Sequence, residues 1–286
     1  MSILVPRTNT YYWLRAIIVS TMLGLGAWQA VEIFKNFSEQ WYWLIVATVY
    51  TITINETFTH RTCGHKMFDV NVKSIWYKIL TFLSSVDQAH GPVRTHAIWH
   101  LSHHKYADQG NFDNVNAKVF WYGDAWILPF GFLGKKADIP DKTELIGRAH
   151  NTFREIIEDP WTMFCEKHII SISVLSQLVL YFACPTILFK VLLLGRFIMT
   201  VGMIGAGIAH LQRIPLTYRN FNTPDMSNNN LILHYLFLGI FGGLLQNNHH
   251  GKPNALNMGA KWWEIDTSTP IAYLLKFLME KKKIVR

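Results

Sequence analysis

Charged residues and cysteines are the residue types that this chain of 286 residues has little of. Only 16% of the residues are charged and 50% are hydrophobic, which disfavours an ordinary soluble domain and indicates a membrane protein. The three cysteines, Cys63, Cys165 and Cys184, are far apart, which excludes a CxxC metal site or a disulfide framework and fits a reduced, cytosol-facing site. The net charge of +8 comes from loops between apolar runs, so no nucleic-acid partner is expected.

Four apolar runs approach the roughly 20 residues that a helix needs to cross a bilayer. They cover residues 14–34, 41–58, 168–184 and 187–209, and they form two hairpins. Most Lys and Arg residues lie in 61–167 and after 211, which puts both termini and the middle segment on the cytoplasmic side. The sequence therefore predicts an all-α, multi-pass integral membrane protein of one domain, 1–286, with a cytosolic helical cap formed by 59–167 and 210–286. No removable signal peptide is expected.

Histidines are concentrated in four places, all on the predicted cytoplasmic side. Their positions are His60 and His65 in HRTCGH, His96, His100, His103 and His104 in HAIWHLSHH, the lone His210, and His249 and His250 in QNNHHGKP. In HAIWHLSHH the spacing i, i+4, i+7, i+8 puts four imidazoles on one face of a helix. In HRTCGH the five-residue spacing does not align on an α-helix, so this pair can meet only if the helix ends between them, with Gly64 as the expected end.

Neutral imidazoles are suitable ligands for first-row transition metals. Eight or nine of them exceed the four ligands of one tetrahedral zinc site, so the clusters predict a site for two metal ions. The alternative is that histidines serve as surface or packing residues. It fits isolated positions such as His150, His168 and His234, but not several clusters on one side of a membrane.

These motifs resemble the histidine boxes of membrane fatty acyl desaturases, in particular the stearoyl-CoA desaturase-like branch that introduces the first double bond. The resemblance covers roughly residues 40–255 and includes Asp108 after the second box and YRNFNTPDMSNNN at 218–230. It implies four membrane helices under a cytosolic cap, a long kinked acyl channel, two iron ions, and O₂-dependent formation of a cis double bond in a fatty acyl chain. The iron ligands that it implies are His60, His65, His100, His103, His104, His210, His249 and His250.

The chain departs from the family pattern around this predicted centre. Gln246 stands where the third box normally begins with His, and a neutral amide is a poorer iron ligand than imidazole. His96 stands where the family commonly has a Trp, and His90 replaces a frequent Gln. Our hypothesis is that His96 supplies the nitrogen that Gln246 lacks; the alternative is that His96 only lines the acyl channel.

Three polar residues are candidates for supporting the ligands: Glu56, Asp108 and Asn247. Glu56 lies one helical turn before His60, so its carboxylate is predicted to accept the second N–H of that imidazole. The alternative is a Glu side chain that faces lipid headgroups.

The implied reaction needs other molecules. The chain contains no HPGG haem segment and no iron–sulfur cysteine run, so a separate ferredoxin or cytochrome-type electron donor is expected. Lys135, Lys136 and Arg148 are candidates to dock an acidic donor or an acyl carrier headgroup; the favoured alternative is that they are solvated surface residues. The other expected partners are membrane lipid and an acyl chain carried by CoA, acyl carrier protein or lipid. The site should face the cytoplasm, at the inner membrane if the host is bacterial. A fatty acyl hydroxylase, an acetylenase and a membrane metal transporter are the alternatives.

Overall fold

The structure is a computed structural model that describes residues 9–109, 142–209, 216–236 and 244–282. In these ranges the chain is mostly helical, with two π-helices and one antiparallel ribbon of two-residue strands. The elements are α1 (Asn9–Lys35), α2 (Phe37–Gln40), α3 (Tyr42–Thr51), π1 (Ile52–Gly64), α4 (Ile75–Asp87), α5 (Val93–Tyr106), α6 (Lys142–Ile157), α7 (Pro160–Lys167), α8 (Ile169–Ala183), α9 (Pro185–Ile187), π2 (Leu188–Leu193), α10 (Leu194–Ala209), β1 (Thr217–Tyr218), β2 (Asn229–Asn230), α11 (Leu231–Leu236), α12 (Gln246–Gly251) and α13 (Thr269–Met279).

Two helical stretches are long and apolar enough to cross a bilayer, Trp13–Lys35 and Pro185–Met203. A third is added if α7 and α8, which meet at an angle of 75°, form one broken span. These stretches correspond to three of the four predicted spans. The second predicted span, 41–58, does not meet the same criterion, because its helix continues into the polar π1. The structure thus agrees with an all-α membrane protein, and the four-span arrangement stays a prediction.

Small residues allow the apolar helices to pack closely. Gly26 of α1 lies against π2, where a Cβ atom would be 2.2 Å from the carbonyl oxygen of Leu193. Gly195 of α10 lies against α3, where a Cβ atom would be 3.1 Å from the carbonyl oxygen of Ala47. Such close approach of backbones is typical of helix packing in membranes. The first apolar helix, α1, therefore packs closely against π2, and α3 packs closely against α10.

The π-helix π1 carries the first histidine motif. Its threonine hydroxyls bond to carbonyls five residues back, from Thr59 to Ile54 (2.7 Å) and from Thr62 to Thr57 (2.8 Å). A π-helix repeats its hydrogen bonds every five residues, so residues five apart lie close together on it. The helix ends at Gly64, as predicted, with His65 as its C-terminal cap. The sequence analysis missed the π-helical turn that also brings His60 towards His65.

The second histidine motif forms the predicted helical stripe on α5, which packs against π1. A core of buried apolar residues joins π1 and α5 to α4, α6 and α13. A buried ion pair also fixes π1 to the C-terminal segment: Arg61 donates to Asp266 (3.0 Å), to Ser268, and to the carbonyl oxygen of Leu256 (2.6 Å). These contacts hold the first histidine motif beside residues that are about 200 positions away in the chain.

Candidate metal centre

Four imidazoles from three helices converge on one point. His60 lies on π1, His65 caps it, His100 lies on α5 and His249 lies on α12; their ligand nitrogens are all within 4.8 Å of one another. The Nε2 atom of His100 is 2.6 Å from that of His65 and 3.0 Å from that of His60. The Nε2 atom of His249 is 3.2 Å from that of His65 and 3.3 Å from that of His60.

Hydrogen bonding between the rings does not account for this convergence. Each Nε2 atom carries either one hydrogen or one lone pair in the ring plane, so it serves one partner. The Nε2 atom of His249 nevertheless lies within 3.3 Å of three others, those of His60, His65 and His104. Metal–nitrogen bonds of about 2.0–2.1 Å separate neighbouring ligand nitrogens by roughly 3 Å. The donor set therefore fits a metal ion better than it fits a hydrogen-bond network.

A second group shares His249 with the first. It consists of His104, His249 and His250, whose ligand nitrogens also lie within 4.8 Å of one another. The rings of His104 and His250 are stacked, with centroids 4.3 Å apart. His103, the neighbour of His104 on α5, has its ring centroid 5.1 Å from that of His250. The described residues thus contain two adjoining histidine groups, and the predicted set of ligands for two ions stays a prediction.

Burial keeps these imidazoles in the form that binds metals. The pKa values of His65, His100 and His249 lie well below the ordinary value of histidine. The larger cause is burial, and the smaller cause is repulsion from the neighbouring imidazoles. The same two causes lower the pKa of His104. A neutral imidazole keeps a lone pair on one ring nitrogen, and metal binding requires that lone pair. The rings are therefore ready to bind a cation at neutral pH.

In each histidine group, a carboxylate contacts the Nδ1 atom of one imidazole, which is the ring nitrogen that does not face the other imidazoles. Glu56 Oε2 lies 3.1 Å from His60 Nδ1, and Asp225 Oδ2 lies 3.1 Å from His250 Nδ1. Burial raises the pKa of Asp225, but the hydrogen bond to His250 has the opposite effect. The net result is a pKa below the usual range of aspartate, so the carboxylate is charged. A carboxylate on Nδ1 fixes the tautomer in which Nε2 is the ligand atom. The sequence analysis missed Asp225, whose only signal was its place in YRNFNTPDMSNNN.

The other two candidate supporting residues accept hydrogen bonds from backbone amides. Asp108 Oδ2 accepts a hydrogen bond from the amide of Met226 (2.7 Å), which directly follows Asp225 in the chain. Asn247 Oδ1 accepts from the amides of Asn220 (2.7 Å) and Phe221 (2.8 Å). Both contacts fix the loop 219–226 near the second histidine group.

Asn248 is a further residue that the sequence analysis missed. Its side-chain amide donates to Glu264 Oε2 and to the carbonyl oxygen of Met258, each at 2.9 Å. Its amide oxygen accepts from the side chain of Asn229 at 2.8 Å. Asn248 directly precedes His249, so this buried network fixes α12 and with it the third histidine motif. The available signal was the pair of asparagines in front of the two histidines.

His96 lies beside the first group but belongs to neither group among the described residues. Its ring centroid is 5.2 Å from that of His100 and 4.7 Å from that of His90. Gln246 is buried at the start of α12, one turn before His249. The predicted residues that lie outside the described part of the chain are His210, Lys135 and Lys136.

Fold and site together define a class: a mostly helical protein with two or three helices apolar enough to span a membrane and a buried histidine cluster that could hold metal ions. No protein-family model matches the chain. The sn-1 stearoyl-lipid 9-desaturase of Synechocystis sp. is 24% identical over 227 residues, which are 79% of this chain and 65% of that protein. Delta-9 acyl-lipid desaturase 2 of Arabidopsis thaliana is 23% identical over 262 residues, 85% of this chain and 73% of that protein. The acyl-CoA C20 Delta5-desaturase of Anemone leveillei is 24% identical over 288 residues, 95% and 84% of the two chains.

The chain is thus similar over most of its length to several acyl-lipid and acyl-CoA desaturases, which include stearoyl-type members. They confirm the resemblance that the histidine motifs indicated. The match to the cyanobacterial relative spans just under two thirds of that protein's length.

Replacing Asp225 with Asn is expected to weaken metal binding at the second group about 10- to 100-fold, the usual effect of losing a carboxylate behind a ligating imidazole. The measurement is the metal content of the purified protein after equilibration with a series of chelator concentrations. The matched control is Asp69→Asn, which removes an exposed carboxylate that pairs with Lys66 at 3.1 Å. Equal metal retention in both variants would show that Asp225 does not support a ligand.

Proposed function

We propose that the protein is an O₂-dependent fatty acyl desaturase that introduces a cis double bond into a long acyl chain at a histidine-ligated di-iron centre. The observation that carries the proposal is the position of His249 Nε2, which lies within 3.3 Å of the Nε2 atoms of His60, His65 and His104. The names of the relatives, which are acyl-lipid and acyl-CoA desaturases, support the same class of reaction.

Iron fits the donor set, since imidazole suits first-row transition metals and the reaction needs a redox-active ion. The first ion would be held by His60, His65, His100 and His249. The second would be held by His103, His104 and His250 beside the shared His249, and by His210, which lies outside the described residues. When bound, iron supplies the O₂-derived oxidising power that side chains lack, for removal of two hydrogens from unactivated methylenes.

The chain's own residues orient the ligands and keep water out. Glu56 and Asp225 accept the Nδ1–H of His60 and His250, so each ring binds through Nε2. Every residue of 54–64 on π1 is buried, which keeps bulk water away from the reacting carbons. In this proposal Asn247 holds the loop 219–226 against α12, and His96 lines the substrate path beside His100 rather than replacing Gln246 as a ligand.

We further propose the four-span topology predicted from the sequence. Residues 14–34, 41–58, 168–184 and 187–209 would cross the membrane, with 59–167 and 210–286 forming a cytosolic cap of the single domain 1–286. The excess of Lys and Arg in the cap segments and the two or three apolar helices support this arrangement. It puts both histidine groups at the cytoplasmic side, in the inner membrane if the host is bacterial.

Electrons and substrate would reach the site from the cytosol and from the bilayer. A separate ferredoxin or cytochrome-type protein would supply the electrons, and Arg148, which is exposed on α6 next to Glu144, is a candidate contact. The relatives act on acyl-lipid or acyl-CoA substrates by name, so we propose a carrier-bound acyl chain.

Expression in a desaturase-deficient host is expected to yield a new unsaturated fatty acid, detected by mass spectrometry of the total lipids. His104→Ala should abolish that product, because His104 belongs to the second histidine group. His150→Ala is the matched control and should retain it, because His150 is a half-exposed histidine that pairs with Glu158. A hydroxylated or acetylenic product would identify one of the alternative reactions on the same scaffold, and metal uptake into vesicles without any lipid product would identify a transporter.

A further inference from the structure

Seven large apolar side chains are exposed on three segments of the C-terminal half of the chain. We call this set the aromatic patch; its members are Leu216, Ile232, Tyr235, Leu236, Trp262, Trp263 and Ile265. The most exposed are Trp262 (87%), Leu236 (70%) and Leu216 (67%). Exposed apolar sets of this size mark binding surfaces for proteins or membranes.

The three segments are joined by direct contacts, so the aromatic patch is one surface. His234, within α11, lies with Nε2 2.9 Å from the carbonyl oxygen of Ile265. Tyr218, two residues after Leu216, donates its hydroxyl to Glu264. Lys261 Nζ lies 5.2 Å from the ring centroids of both Tyr218 and Trp263.

The backbone behind the two tryptophans is held in place. The carboxylate of Glu264 is buried and accepts hydrogen bonds from the amides of Ala260 (2.7 Å) and Lys261 (2.9 Å). Gly259 packs so closely that a Cβ atom there would be 2.1 Å from the carbonyl oxygen of Glu264. The backbone that carries Trp262 is therefore already ordered, which lowers the conformational entropy cost of binding.

The chemistry of the aromatic patch matches the interfacial zone of a bilayer. Trp and Tyr are enriched at membrane–water interfaces, where Lys pairs with anionic headgroups. The acidic residues beside the patch, Glu264 and Asp266, are buried, so its exposed charge comes from Lys261. Only seven positions separate Leu216 from Ala209 at the end of α10, so Leu216 is at most about 25 Å from the end of that apolar helix.

We propose that the aromatic patch docks onto the headgroup region of the bilayer that the apolar helices cross, with a preference for anionic lipid. Because Glu264 also binds Asn248, next to His249, docking would hold α12 and the histidine groups at a fixed height above the membrane. This proposal rests on the membrane insertion of the apolar helices and not on the reaction. The aromatic patch can therefore fail to dock while the desaturase proposal stands, and it can dock even if the protein is not a desaturase.

Spin labels test the proposal in the full-length protein reconstituted into nanodiscs of phosphatidylcholine and phosphatidylglycerol. The starting variant is Cys184→Ser, since Cys184 is the exposed cysteine among the described residues and Cys63 and Cys165 are buried. Single labels are placed by Trp262→Cys and Leu236→Cys. The references are Leu25→Cys on α1 for the bilayer and Arg154→Cys on the charged face of α6 for water.

The expected result is a shift at both patch positions. The measured quantity is the ratio of the label's accessibility to O₂ to its accessibility to a nickel chelate. At both patch positions this ratio should lie between the value at Arg154 and the value at Leu25. It should come closer to the Leu25 value when the fraction of phosphatidylglycerol is raised. Accessibility equal to that of Arg154 at both positions would overturn the proposal. Shielding from both reagents would overturn it in favour of a protein contact, and dipolar broadening that disappears on dilution with unlabelled protein would identify a second copy as the occupant. Unchanged metal content in each variant checks that the protein is folded.

Discussion

Replacing His249 with Ala is expected to remove the metal ion of the first histidine group and to abolish desaturation, which needs both ions. His249 belongs to both groups, and its Nε2 atom is within 3.3 Å of those of His60, His65 and His104. Losing a residue that only supports a ligand costs about 10- to 100-fold in metal affinity, so losing this ligand should lower the affinity of the first group by more than about 100-fold. Metal analysis of the purified variant and the fatty acid profile of its host measure the two effects.

The matched control for His249→Ala is His96→Phe. His96 is an imidazole in the same cluster of rings, 5.2 Å from His100 between centroids, but it belongs to neither group. We expect His96→Phe to keep the full metal content and to change the substrate preference. Loss of one ion in His96→Phe would instead show that His96 supplies the nitrogen that Gln246 lacks.

Replacing Arg61 with Ala is expected to lower the free energy of unfolding by about 3–5 kcal/mol, because it leaves the buried Asp266 carboxylate without its cation. Neither side chain of the Arg61–Asp266 pair is accessible to solvent, and Arg61 also donates to the carbonyl oxygen of Leu256. Since these contacts fix π1 to the C-terminal segment, metal content should fall with stability. Thermal unfolding in detergent micelles is the measurement.

Arg154→Ala is the control for a surface ion pair. Arg154 pairs with Glu158 at 3.0 Å on the exposed surface, where solvent screens the pair, so its loss should change the unfolding temperature little. The double variant Arg61→Met with Asp266→Asn should recover part of the loss, because no charge is then left buried. If Arg61→Ala unfolded at the same temperature as Arg154→Ala, the ion pair would not hold π1 in place.

The sequence predicted those features that depend on neighbouring residues. Apolar runs at 14–34 and 187–209 correspond to the helices that are long and apolar enough to cross a bilayer, and the spacing in HAIWHLSHH predicted the stripe on α5. The histidine motifs indicated the same class of protein to which the relatives belong by name. Local spacing also put the end of the helix at Gly64.

Features that depend on distant contacts were missed. Asp225 reaches His250 across 25 positions, and Arg61 reaches Asp266 across 205, so no periodicity in the sequence connects them. The π-helical turn was missed because α-helical spacing was assumed, while the threonines of π1 bond to carbonyls five residues back. The predicted second span, 41–58, was drawn from its apolar start and not from the polar residues that follow Ile52.

Metal analysis of the purified wild-type protein, after anaerobic loading with ferrous iron and removal of excess metal, tests the di-iron centre directly. We expect two tightly bound iron ions per chain, with spectroscopic signatures of nitrogen ligation and of two coupled irons. A single ion per chain, or a preference for zinc with four ligands, would contradict the assignment of two adjoining histidine groups to a di-iron centre.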